Sequence, residues 1–202
     1  MKKSVLLLAA AISTVVMSSQ VFAQDGVRLG TPGYAGTGCP AGSASAVLSP
    51  DAKELSILFS NFVAEAGGIT GKQIDRKNCS IAVPVFVPQG FSVSVLSIDY
   101  RGFNALPAGG SSTMQAEYFF AGQRGPIFRK SFVGPVNDDY TFTNNLIASA
   151  LVWSACGAQV TLRANTSASV ITNRSMEDAM VTVDSADVSA TMLYHLQWRR
   201  CF

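Results

Sequence analysis

Residues 79–102 read Cys-Ser-Ile-Ala-Val-Pro-Val-Phe-Val-Pro-Gln-Gly-Phe-Ser-Val-Ser-Val-Leu-Ser-Ile-Asp-Tyr-Arg-Gly. Ile81, Val83, Val85 and Val87 recur at every second position before Pro88-Gln89-Gly90, and Phe91, Val93 and Val95 do so after it. Period-two patterning of this kind belongs to strands with one buried face. Pro88 suits a turn position with φ near −65° and Gly90 can close that turn, so the stretch is expected to be a β-hairpin. Beyond Val95 the apolar phase slips to Leu96, Ile98 and Tyr100. One inserted residue exchanges the faces of a strand, so a β-bulge is expected there.

The chain opens with Met1-Lys2-Lys3, an apolar run over residues 5–17, and Val21-Phe22-Ala23. These are the three regions of a secretory signal peptide, with cleavage expected after Ala23. The apolar run is shorter than the roughly 20 residues a membrane span needs. Residues 1–23 are therefore a leader, and no transmembrane segment is expected in the mature chain. Fifteen basic residues less the two leader lysines leave 13, against 13 acidic ones, so the mature protein carries no net charge. That argues against a nucleic-acid partner held by bulk charge. The destination is secreted or periplasmic, and the Met-Lys-Lys start reads as bacterial.

The 179 residues that follow the leader suffice for one domain. Residues 24–49, rich in Gly, Pro, Ala and Ser, are read as an irregular segment tied down by Cys39, and residues 50–202 as the folded domain. Within the latter, Leu55, Ile57 and Phe59 mark a first strand, and residues 67–78 a loop. Strands follow over 114–121, 127–133, 158–165, 179–183 and 188–200, while 146–156 reads as strand or short helix. Asp138-Asp139-Tyr140 is read as a solvated corner. About nine strands with regular turn signals and no long helical period predict an all-β, antiparallel two-layer sandwich.

Four markers, Gly38-Cys39-Pro40, Asn78-Cys79, Asp99-Tyr100-Arg101-Gly102 and Trp198-Arg199-Arg200-Cys201, occur in this order and spacing. With them the chain resembles the "domain of unknown function 4360" family of small secreted proteins over residues 36–201. The resemblance implies an exported, cysteine-bridged domain and brings no activity or catalytic residue. Four cysteines in an oxidising compartment favour two disulfides. Of the three connectivities, the sequence-nearest, Cys39 with Cys79 and Cys156 with Cys201, is expected.

Chemistry is thinly marked. The single histidine, His195, alternates against Met192, Tyr194, Leu196 and Trp198 and is expected to be a satisfied or solvent-facing side chain. No Gly-x-Ser-x-Gly elbow occurs. No cofactor or metal is expected, since no Cys-x-x-Cys or spaced acidic loop is present. Three Asn-x-Ser/Thr acceptor patterns, at Asn78, Asn165 and Asn173, are expected to be unmodified. Asp99 and Glu117 interrupt apolar strands and could serve a glycan hydrolase with paired carboxylates. An ion pair of Asp99 with Arg101 and an outward Glu117 are the plainer readings. The alternating C-terminal strand raises a small outer-membrane barrel as a third possibility, which Arg200 and the cysteines argue against. Tyr118, Phe119 and Phe120 cannot all face one way in a strand, so a ring left over by a one-sided sheet could stack a ligand, while the plainer reading is that both sheet faces are covered. The reading reached is a non-enzymatic binding module for a glycan or a protein at the cell surface, with Asp99, Arg101, Glu117, Tyr118 and Phe119 as candidate contacts.

Overall fold

The computed structural model describes residues 26–146, 151–183 and 192–201. The expected leader and the expected cleavage site after Ala23 lie outside the described residues. Thirteen strands and no helix make up the described chain: β1 (Arg28–Leu29), β2 (Gly33–Ala35), β3 (Ala44–Leu48), β4 (Glu54–Phe59), β5 (Val63–Ala66), β6 (Ile74–Phe86), β7 (Phe91–Leu106), β8 (Ser111–Phe120), β9 (Ile127–Val133), β10 (Val136–Asn145), β11 (Gln159–Ile171), β12 (Ala179–Thr182) and β13 (Met192–Arg200). They form two antiparallel sheets. The first runs β1-β6-β11-β8-β9, with β2 also on β6, and the second β3-β4-β13-β7-β12-β5, with β10 also on β7. These are two separate sheets rather than one closed on itself, so the arrangement is a sandwich and not a barrel. Among the described residues no helix is long and apolar enough to cross a membrane.

The expected hairpin is an arch. β6 pairs with β1, β2 and β11, and β7 with β13, β12 and β10, so the turn at Pro88 carries the chain from one sheet to the other. Ile81, Val83 and Val85 then face Val93 and Val95 across the core, all at most 4% exposed. Alternation reports which face is buried and not which neighbour a strand chooses, so a hairpin and an arch read alike. The turn itself is as expected, with Phe91 N–H donating to Pro88 O at 3.2 Å and Gly90 at φ +80°.

The bulge falls where the phase slips. Leu196 pairs with Val95 and His195 with Ser97, leaving Leu96 as the extra residue. Leu96 turns to solvent, and the inward phase resumes at Ile98 and Tyr100, both fully buried.

Three further readings are corrected. Residues 67–78, read as a loop, are strand from Ile74 onward, where β6 begins. The segment read as irregular contributes β1, β2 and β3, short strands that the Gly- and Pro-rich composition concealed. Asp138-Asp139-Tyr140 is no corner but lies within β10, whose exposed face carries Asp139, Thr141 and Thr143 while Tyr140 and Phe142 point inward. The chain turns earlier, at the cis Gly134-Pro135 bond. Between β9 and β10 an aromatic stack closes one side of the sandwich. Phe128 lies 5.4 Å from Tyr100 and 5.2 Å from Phe142, and Phe132 lies 5.0 Å from Tyr140.

Both expected disulfides are formed. Cys39–Cys79 lies in the core and fastens the N-terminal strands to β6. Cys156–Cys201 holds residues 151–157 beside the start of β7. There Ser154 N–H donates to Val93 O at 2.8 Å, and the buried Ser94 hydroxyl donates to Val152 O at 2.9 Å.

Candidate functional site

The outer face of the second sheet carries a polar row across four neighbouring strands. Glu54 on β4 pairs in register with His195 on β13, and Thr143 on β10 with Asp99 on β7. Because Tyr194 and Tyr100 point into the core, their neighbours His195 and Asp99 point out. The Asp99 carboxylate is clasped from both sides. Its Oδ2 lies 2.8 Å from His195 Nε2, and its Oδ1 accepts the Thr143 hydroxyl at 2.5 Å. The other histidine nitrogen, Nδ1, is 3.7 Å from Glu54 Oε1.

This geometry sets the electrostatics. Partial burial raises the Asp99 pKa, but the hydrogen bonds from His195 and Thr143, with the charges of His195 and Arg101, outweigh it and hold the carboxyl below its ordinary value. A carboxyl depressed in the folded state stabilises the fold above its unfolded value near 3.8 and loses that contribution as pH falls further. Asp99→Asn is therefore expected to cost about 1 kcal/mol at neutral pH. Its deficit should shrink below pH 3.8 in urea melts. An unchanged deficit at low pH would show that Asp99 acts through packing alone.

Chemically the row is a clasp and not a triad. A serine hydrolase needs one histidine nitrogen on its nucleophile and the other on a carboxylate. Here both nitrogens face carboxylates. Nor does the carboxylate pair form. Asp99 lies on the outer face of the second sheet, whereas Glu117, with Asn165 Nδ2 at 3.5 Å, lies on the outer face of the first. Phe119 shares that face with Glu117 and sits half-buried beside Arg163. Arg101 is exposed two residues from Asp99. Tyr118 is not a surface residue, being 3% exposed and set edge-on to Tyr194 at 6.2 Å. Alternation along β8 sends it inward with Phe120. Among the described residues, no group of three or more His, Cys, Asp or Glu side chains is placed to hold a metal ion.

Over residues 25–201 the chain matches the model of the family described as Domain of unknown function (DUF4360). The chain belongs to that family. A relative from Arthroderma benhamiae, described as an uncharacterized secreted protein, is 34% identical over 169 residues, which make up 83% of this chain and 69% of that protein. The relative is fungal, so it lends no support to a bacterial origin.

For this DUF4360 member the sequence exposed His195 and Asp99 one by one, and the structure joins them. Glu54 and Thr143 carried no signal. Their link to His195 and Asp99 is made by pairing between strands far apart in the chain, which no local pattern encodes.

Proposed function

We propose that the protein is exported, with a mature chain starting at Gln24, and acts as a non-enzymatic binding module outside the cell or at its surface. The observation that carries this reading is the dispersal of its polar side chains. Asp99 and Glu117 lie on opposite outer faces, and the histidine is engaged by two carboxylates, so among the described residues no acid, base and nucleophile are seen to converge on one reacting atom. Binding asks for less. The outer face of the first sheet carries Gln115, Asn165, Ser167 and Ser169 together with Glu117, Phe119 and Arg163, a polar surface with a ring in it, suited to polar ligands. The family and the secreted relative agree with export.

The test screens secreted protein, its start checked by intact mass, on polysaccharides, peptidoglycan and ester substrates. Retention without turnover is the expected result. Reproducible turnover that disappears in Glu117→Ala, with circular dichroism unchanged, would replace the binding reading with a hydrolase.

A further inference from the structure

One end of the sandwich carries a groove that the polar row does not use. Two adjoining hollows, of about 240 and 640 Å³, share Ile69, Ala105 and Asp178 as lining residues. Ile69 divides them. It sits in the turn between β5 and β6 and is 87% exposed. An isoleucine so open to water is ordinarily a neutral surface accident, but this one is held in place. Gly68 N–H donates to Met176 O at 2.7 Å, Ile69 N–H to Asp178 Oδ1 at 3.0 Å, and Gly67 N–H to Lys72 O at 2.8 Å. Gly67, at φ +123°, is pressed so closely on the facing loop that a Cβ would come within 2.6 Å of Asp178 Cα.

The facing loop is equally fixed. Asn173 donates to Ala108 O at 3.0 Å and to Glu177 Oε1 at 2.6 Å, and accepts from Glu177 N–H at 3.2 Å. Met176 is held at φ +56°, a conformation that a side chain adopts only when its surroundings impose it. The backbone that carries Ile69 is thus ordered by the fold, so a partner need not order it.

Charge and chemistry of the lining narrow the occupant. Every ionisable residue that lines the two hollows is an acid: Glu65, Glu177 and Asp178. Of the bases nearby in sequence, Lys72 is turned to Asp75 at 3.1 Å, and Arg174, in the facing loop, lines neither hollow. The apolar lining is aliphatic, with Leu106, Met176 and Met180 and no aromatic ring. A sugar would want a ring face to stack on, whereas methionines adapt to aliphatic side chains of varied shape.

Resting on the binding-module reading, we propose that this groove docks an extended peptide segment of a secreted or surface protein in which basic and aliphatic side chains alternate. The basic groups meet Glu65, Glu177 and Asp178, and the aliphatic ones pack against Ile69 and the methionines.

Fluorescence anisotropy with a labelled, end-blocked peptide of alternating lysine and valine tests this, with a glutamate-valine peptide and a glucosamine oligomer as the other arms. Saturable binding of the lysine peptide alone is expected, weakened about tenfold or more in Ile69→Ser. Glu65→Gln should weaken it by about threefold and flatten its salt dependence. Both positions are exposed, and circular dichroism should be unchanged. No saturable binding up to about 1 mM, equal affinity in Ile69→Ser, or preferential binding of the glucosamine oligomer would overturn the proposal. Should the protein be retained on cell-wall material equally with and without Ile69, the groove assignment fails and the binding module stands. Turnover in the substrate screen removes the module itself.

Discussion

Tyr100→Ala is expected to lower the unfolding free energy by roughly 3–5 kcal/mol, the range for deleting a buried aromatic ring. Tyr100 is fully buried. Its ring stacks on Phe128 at 5.4 Å and Phe142 at 5.1 Å, so truncation opens a cavity where the sheets meet the aromatic stack. Tyr100→Phe separates ring from hydroxyl. The Tyr100 and Tyr118 hydroxyls make no hydrogen bond to another described residue, and burial, followed by the neighbouring Tyr194 and Tyr118 hydroxyls, pushes the Tyr100 pKa far up. Removing an unpaired buried hydroxyl while keeping the ring should be neutral or stabilising by up to about 1 kcal/mol. Urea denaturation of both variants decides the matter. A loss above about 1 kcal/mol in Tyr100→Phe would show that its hydroxyl is hydrogen-bonded in solution.

Removing the disulfides should have effects of similar size, and unequal ones. The bridged pairs are 40 and 45 residues apart, and the chain-entropy account assigns about 4 kcal/mol to each. Cys39 and Cys79 are both 1% exposed, so replacing them by serine also places hydroxyls in the core. Cys156 and Cys201 lie near the surface, where serine is tolerated. The Cys39/Cys79 double variant should therefore lose about 1–3 kcal/mol more than the Cys156/Cys201 variant. Loss of all four cysteines approaches the whole stability of an ordinary domain and should leave the chain unfolded at 37 °C. Denaturation midpoints of the two double variants measure the difference. Equal losses would mean that the core bridge contributes no packing beyond its crosslink.

Both predictions rest on what alternation shows well, namely which residues are inside. Val83, Val93, Met114, Tyr194 and their neighbours are buried because period two in an all-β chain leaves them one face to share. The bulge at Leu96 was legible for the same reason, as a slip in that period. The even cysteine count favoured two crosslinks, and the sequence-nearest pairing is the one observed.

Pairing between strands was a different matter. Residues 79–102 have the same alternation whether β6 and β7 lie side by side or face to face, and the partners that decide it, β11 and β13, come more than 50 residues later. The polar row followed the same rule. Asp99 and His195 were visible singly, but whether Asp99 met Arg101, Glu117 or His195 depended on the register of β13 against β7. The sequence by itself determined the class of fold, most of the buried set, the number of crosslinks and the absence of any marked catalytic motif, because these follow from local period, composition and count. Tertiary structure alone decided which sheet each strand joined, that Asp99 and Glu117 stand on opposite faces, and that Ile69 is held over an acid-lined groove. Those are outcomes of long-range hydrogen-bond ladders and side-chain packing, whose free energies are summed over residues that the chain brings together only on folding.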